Sequence, residues 1–314
     1  MALVTKRIKG KQYYYSFLSY FLVGKSKSFS KYMGVKKPTI KELGKIETEF
    51  KKEIIYKLSS KGYTCKLVNA NDVIKTLLFR DLFNKKYKKL IESKKRKYDI
   101  DSTILFTLTT LTTEEVDVGL NDVRNAFEKD ANLTQREQIS KNMLDAVESI
   151  RKSHKLDKDY LLELHRTAMA SFETKAPGAI RDKQVYLHRI GQDRMSIELS
   201  YRPPHFSTVG RMLDEFVDWY NRSQLNPLEK ATVSHYKLYR IHPFLDGNKR
   251  ICRLIFNKTL LDNGFPLLNV SLEKAHYFEA LIESVEREDK AKKLMEFVLK
   301  QYYTQIKDFL TKFK

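Results

Sequence analysis

His242-Pro243-Phe244-Leu245-Asp246-Gly247-Asn248-Lys249-Arg250-Ile251-Cys252-Arg253 is the stretch that decides the fold. Pro243 stops any helix running into it, because proline lacks an N–H and its ring clashes with the preceding turn. Upstream, Asn226-Pro227 is an N-cap followed by proline at the first helical position, so a helix is expected from about 227 to Ile241. A second helix starts near Asn248 and ends at Asn263-Gly264.

The loop between these helices has the parts of a phosphate site. Gly247 sits at a loop-to-helix junction, where backbone N–H groups and the positive helix end meet an anion. Arg250 and Arg253, three apart, share one helix face and can reach one phosphate chain. Asp246 is a hard oxygen ligand suited to Mg²⁺ that bridges phosphates. His242, with an ordinary pKa of about 6.5, suits general-base work near neutrality. A helical i, i+4 metal pair of His242 and Asp246 fails at Pro243. Taken alone, His242 reads rather as a cap on the preceding helix beside an ordinary Asp-Gly-Asn turn.

Working outward, the 314 residues carry 59 Lys and Arg against 39 Asp and Glu, a formal charge of +20. Hydrophobic residues make up 42%, enough for a buried core and too many for a disordered chain. With 11 Gly and 7 Pro, turn formers are scarce, which disfavours a sandwich or barrel of many short strands and favours long helices. Cys65 and Cys252 lie far apart, excluding a disulfide framework and a paired-cysteine metal site. The N-terminus lacks a secretory apolar run, and no stretch approaches the roughly 18 apolar residues of a membrane helix. A cytoplasmic protein is expected. The positive excess keeps nucleic acid open as a partner.

Residues 1–38 form a strand-rich arm, with aromatic Gln12–Val23 between turn-like breaks. Residues 39–100 form a basic helical segment, including a helix capped by Asn71-Asp72 and a run of lysines at 85–97 that reads as a solvated face. Residues 101–113 (DSTILFTLTTLTT) are ambiguous. Helices follow at about 114–128, 134–153, 157–174 and 206–222. Gln184–Gly191 reads as a short strand pair, and 291–314 as a C-terminal packing helix.

The decisive stretch resembles the signature of the Fic family, H-P-F-x-(D/E)-G-N-x-R-x-x-R, and all eight specified positions match. Asn142–Ile150, Leu162–Met169, Pro177–Val185, Arg202-Pro203-Pro204 and Leu228–Tyr236 also resemble Fic stretches. Tyr13-Tyr14-Tyr15 and Lys31-Tyr32-Met33-Gly34 resemble an N-terminal extension of archaeal-type members. The resemblance implies a mainly α Fic-type bundle with a short β-hairpin flap, over residues 101–290 with its core at about 142–265. A small β-rich and helical extension would precede it.

It also implies a protein adenylyltransferase, moving AMP from Mg-ATP to a Ser, Thr or Tyr hydroxyl of a target. His242 would be the general base and Asp246 the Mg²⁺ ligand. The Gly247, Asn248 and Lys249 backbone would form the anion hole, and Arg250 and Arg253 would bind the β- and γ-phosphates. The flap at Val185, Tyr186 and Leu187 would align an extended target segment by adding a strand. His165 lies in a matching stretch and reads as a core or surface residue.

Lys249 stands where Gly is often found, as in Doc-type kinase toxins, but those lack the second arginine that Arg253 supplies here. Many Fic proteins carry an inhibitory (S/T)-x-x-x-E-(G/N) helix. Thr110-x-x-x-Glu114 has its spacing with Glu115 following, while Glu128 has Arg124 where Ser or Thr belongs. For both glutamates a solvated helix position is the plainer alternative. Transfer of another nucleotide or of phosphate, removal of AMP, and a basic nucleic-acid-associated protein remain alternatives. The partners expected are a target protein along the flap, with a homodimer and nucleic acid as further candidates, and no membrane.

Overall fold

The computed structural model describes residues 2–22, 25–45, 67–68, 70–129, 131–152, 155–190, 197–270, 272–286 and 291–313. The chain opens on three antiparallel strands, β1 (Ala2–Ile8), β2 (Lys11–Leu22) and β3 (Lys25–Gly34), in the order β1-β2-β3. The Lys9-Gly10 turn joins the first pair with positive φ at both residues, 48° and 80°, the twist a tight hairpin needs. After a helical stretch at 40–45, residues 46–66 of the expected basic helical segment, with Cys65, fall outside the described residues.

Helices then take over: α1 (Ala70–Lys88), α2 (Glu92–Thr113), α3 (Leu120–Glu128), α4 (Gln135–Arg151) and α5 (Lys158–Met169). A hairpin of β4 (Leu187–Ile190) and β5 (Ile197–Tyr201) interrupts them, and α6 (Phe206–Arg222), α7 (Pro227–Ile241), α8 (Asn248–Leu261), α9 (Lys274–Glu286) and α10 (Ala291–Lys312) complete the body. The main core runs from Val73 in α1 to Phe309 in α10, and a small second cluster joins Ile104, Val123, Ala126 and Leu144. The pair α7–α8 lies at its centre: from Arg250 to Leu260 every residue of α8 is buried. A helix buried all round must satisfy its polar side chains internally. Tyr220 and Thr259 share a hydrogen bond of 2.9 Å, and the Asn257 side chain bonds both the N–H and the carbonyl of Leu268.

Three expectations are adjusted. The Thr-rich 101–113 stretch is helix, the second half of α2. Its Thr109 and Thr112 hydroxyls donate to the carbonyls of Leu105 and Leu108, so these threonines bond back to their own helix. The helix expected at 114–128 begins only at Leu120, because Glu115 turns into the left-handed region (φ 61°) and 116–119 run outside helix. In the strand pair, the second strand is Ile197–Tyr201, beyond Gly191, and Val185 and Tyr186 precede β4.

Candidate active site

His242 caps α7 in the left-handed region (φ 49°, ψ 61°), its N–H donating to the Leu238 carbonyl at 3.1 Å. Such a conformation costs a non-glycine residue on the order of 1–3 kcal/mol and needs surroundings that enforce it. They do. The Asn248 amide bonds both the N–H and the carbonyl of Phe244, at 2.9 and 2.8 Å. The buried His165 ring stacks on Phe244 with centroids 3.6 Å apart. Gly178 N–H donates to His165 Nδ1 at 2.9 Å, so Nε2 carries the proton and donates to the Asp246 carbonyl at 3.1 Å. Burial brings His165 down to about 4, keeping it neutral. Arg181, buried and 61 residues away, donates through Nε to the His242 carbonyl at 2.7 Å and through its other nitrogens to Lys183 and Pro204. It ties the loop to the base of the β4–β5 hairpin.

His242 is 8% exposed. Its Nδ1–H donates to the Tyr239 carbonyl at 3.3 Å, which leaves Nε2 as the proton-accepting nitrogen. Burial, with Arg181 and Lys249 nearby, lowers its pKa to about 4 against the opposing Tyr239 bond. The ring is therefore a neutral base from weakly acidic pH upward.

Gly247 caps α8 with φ 75°. A Cβ there would lie 2.6 Å from Met169 Sδ and 3.2 Å from His165 Nε2, so the position is closed to side chains on two grounds. Its N–H donates to Asp246 Oδ1 at 2.6 Å, while the Asp246 side chain stays 38% exposed. Arg250 reaches Asp246 with one nitrogen at 3.5 Å and lies over the Phe172 ring. Arg250 Nε and Nη1 and Arg253 Nε are buried without a hydrogen-bond partner. Unpaired guanidinium N–H groups in the first two turns of a helix fit a polyanion such as a triphosphate.

Arg253 is fully buried. Its Nη1 donates to the Tyr277 hydroxyl at 3.4 Å, and that hydroxyl donates to His235 Nε2 at 3.0 Å. Burial, then Arg253, lowers His235 to about 3 and keeps it an acceptor. Arg253 Nη2 donates to the Thr110 carbonyl at 3.0 Å and to Glu114 Oε1 at 2.7 Å. The other Glu114 oxygen takes Lys249 Nζ at 3.1 Å. Burial raises the Glu114 carboxyl, but the two cations outweigh it and hold the group below its ordinary value. The two candidate glutamates thus part: Glu114 joins the site across 139 residues, while Glu128 is exposed on α3.

Among the described residues no group of three or more His, Cys, Asp or Glu could hold a metal by itself. A lone, half-exposed Asp246 suits Mg²⁺ only in the mode where phosphate oxygens and water complete the shell. Leu187 lies at the start of β4, and Arg202 covers the Tyr186 ring at 5.7 Å. Sequence reasoning missed Arg181, His235 and Tyr277, and did not foresee the Lys249–Glu114 ion pair.

The Fic/DOC family model matches residues 155–260. Protein adenylyltransferase fic-1 of Caenorhabditis briggsae is 33% identical over 132 residues, 41% of this chain and 24% of that protein. Protein adenylyltransferase Fic of Nematostella vectensis is 32% identical over 136 residues, 42% of this chain and 29% of that one. The chain thus spans about a quarter of the length of the curated relatives it matches. Fic-1 (residues 134–508) of C. elegans superimposes with TM-score 0.62 at 23% identity, covering 76% of this chain and 71% of that one. A Fic family protein of Desulfovibrio desulfuricans gives 0.63 at 18% identity, covering 80% and 76%. No helix among the described residues is long and apolar enough to cross a membrane. The motif, the mostly helical fold and these matches agree on a Fic/DOC-type domain at residues 155–260.

Proposed function

We propose that this chain is a protein adenylyltransferase that moves AMP from ATP to a Ser, Thr or Tyr hydroxyl of another protein. One observation carries this: a buried, neutral His242 caps α7, and two buried arginines with unpaired N–H groups stand in the first two turns of α8, one short loop away. His242 Nε2 takes the proton of the target hydroxyl as its oxygen attacks the α-phosphorus. The new P–O bond forms as the bond to the β-phosphate oxygen breaks, and pyrophosphate leaves. Arg250, Arg253 and the first amides of α8 hold the β- and γ-phosphates, so the work is positioning and charge stabilisation. Asp246 is the residue that would hold Mg²⁺, which supplies charge neutralisation on the phosphates when bound.

The β4–β5 hairpin presents an edge for an extended target segment, and Arg181 keeps that hairpin in register with His242. Glu114 holds the arginine assigned to the γ-phosphate and thereby restrains the enzyme. A cytoplasmic location belongs to the same proposal. The test is incubation with lysate and ATP labelled at the α- or the γ-phosphate. Protein-bound α-label that disappears in His242→Ala supports the transfer of AMP. Retention of the γ-label alone refutes it and assigns phosphate transfer instead.

A further inference from the structure

The N-terminal sheet plays no part in the chemistry above, yet its composition is unusual. Residues 2–34 hold seven Lys or Arg and no acidic residue. Over residues 1–45 there are eleven, against Glu42 alone, giving a net +10, half of the whole chain's +20.

The register sorts these side chains. Tyr15 pairs with Val4 on one side and Tyr32 on the other, and Tyr13 pairs with Lys6. Alternation along a strand puts Lys11, Tyr13 and Tyr15 on one face with Lys6 and Tyr32 beside them. Tyr32 is 53% exposed, with ring centroids 5.4 Å from Tyr15 and 6.2 Å from Tyr13. Lys6 Nζ stands 5.0 Å over the Tyr15 ring. These tyrosines lie outside the helical core, whereas Ser16, on the opposite face, is buried and β2 packs on α1. The aromatic face is thus turned away from the body.

We infer that this face binds single-stranded nucleic acid, with Tyr13, Tyr15 and Tyr32 as a stacking platform and Lys6 and Lys11 beside them for the phosphates. Every base has a flat π-face, so such a platform tolerates any sequence, and a surface without acidic residues suits a continuous polyanion. A duplex hides its base faces and would use the lysines alone. The inference is independent of the adenylyltransferase proposal, because none of these residues belongs to that site.

The test uses the full chain with fluorescein-labelled 20-nucleotide U and dT strands, followed by anisotropy at several salt concentrations. The U and dT arms tell RNA from DNA. Micromolar binding of at least one strand is expected. Replacing both Tyr13 and Tyr32 by Leu weakens it at least about tenfold, since each stacked base contributes a factor of roughly 5 to 150. Replacing the same pair by Phe, which keeps the stacking face, retains binding within about twofold. Lys6→Gln with Lys11→Gln lowers the log–log salt slope by about 1.4. Adenylyl transfer is unchanged in all three variants. The inference is overturned by any of four results: no binding of either strand up to about 100 μM, leucine variants that bind like the parent, equal affinity for a 20-base-pair duplex, or equal competition by poly-L-glutamate. Should the leucine variant lose its sheet signature in circular dichroism, the phenylalanine and glutamine variants decide.

Discussion

Replacing Glu114 by Gly should make the protein bind ATP more tightly while making the nucleotide-free protein less stable. Glu114 holds Arg253 at 2.7 Å and Lys249 at 3.1 Å, and Arg253 has no exposed surface. A hydrogen bond to a charged group contributes about 1.5–3 kcal/mol, so a γ-phosphate competing for Arg253 must displace at least one such bond. Freeing it corresponds to roughly a 10- to 150-fold gain in ATP affinity. The same change leaves a buried guanidinium without its counter-ion, which costs about 3–5 kcal/mol in the absence of ligand. Arg253 keeps its bonds to the Thr110 carbonyl and the Tyr277 hydroxyl, so the loss should stay at the lower end. Glu114→Gln, which can still accept one neutral bond, should fall between. Titration calorimetry with ATP and urea unfolding with and without nucleotide measure both effects. An ATP affinity within threefold of the parent in both variants refutes the assignment, and so does an equal gain from Glu128→Gly.

Three further outcomes follow from the same geometry. Buried His165, His235 and His242 are held at about 4, 3 and 4, below their unfolded value of about 6.5, so the unfolded chain binds more protons in acid. Their contribution is full above pH 6.5 and is lost as pH falls towards 4, by up to about 2 kcal/mol per histidine between pH 7 and 5. Urea midpoints at those two pH values read it, and equal midpoints would contradict the burial. Gly247→Ala should cost about 2–4 kcal/mol, and Met169→Ala beside it should relieve the crowding but leave the backbone strain. Arg181→Lys keeps the charge but loses the fork reaching three carbonyls. It should lower kcat at least tenfold with little change in ATP affinity, and a change in affinity alone would show that Arg181 does not position His242.

The local punctuation was legible in the sequence. Asn226-Pro227, Pro243, Gly247 and Asn263-Gly264 act on their own neighbours, and α7 and α8 begin and end where those residues require. What the sequence hid are contacts between distant positions. Nothing local distinguishes Arg181 from a solvated arginine until it meets the His242 carbonyl, and His165 meets the decisive loop across 81 residues. The spacing left Glu114 and Glu128 level, and only the packing of α2 against α8 separates them. The Thr-rich end of α2 stayed ambiguous because β-branched residues suit strands as well, whereas here their hydroxyls bond within the helix. The hairpin was misplaced because a short alternating run gives a strand without its partner.

The loop between α7 and α8 also has an electrical consequence. α7 presents its C-terminal end at His242, where the aligned peptide dipoles leave partial negative charge, and α8 presents its positive N-terminal end at Gly247. Four residues of chain separate two backbone poles of opposite sign. On the proposed chemistry, the proton arrives at the negative pole and the phosphate charge at the positive one, so each is met by a field of the helpful sign. That field comes from the main chain. Substituting Arg250 or Arg253 would remove side-chain charge yet leave the axis standing, and a variant stripped of both should keep a weak, correctly oriented affinity for anions.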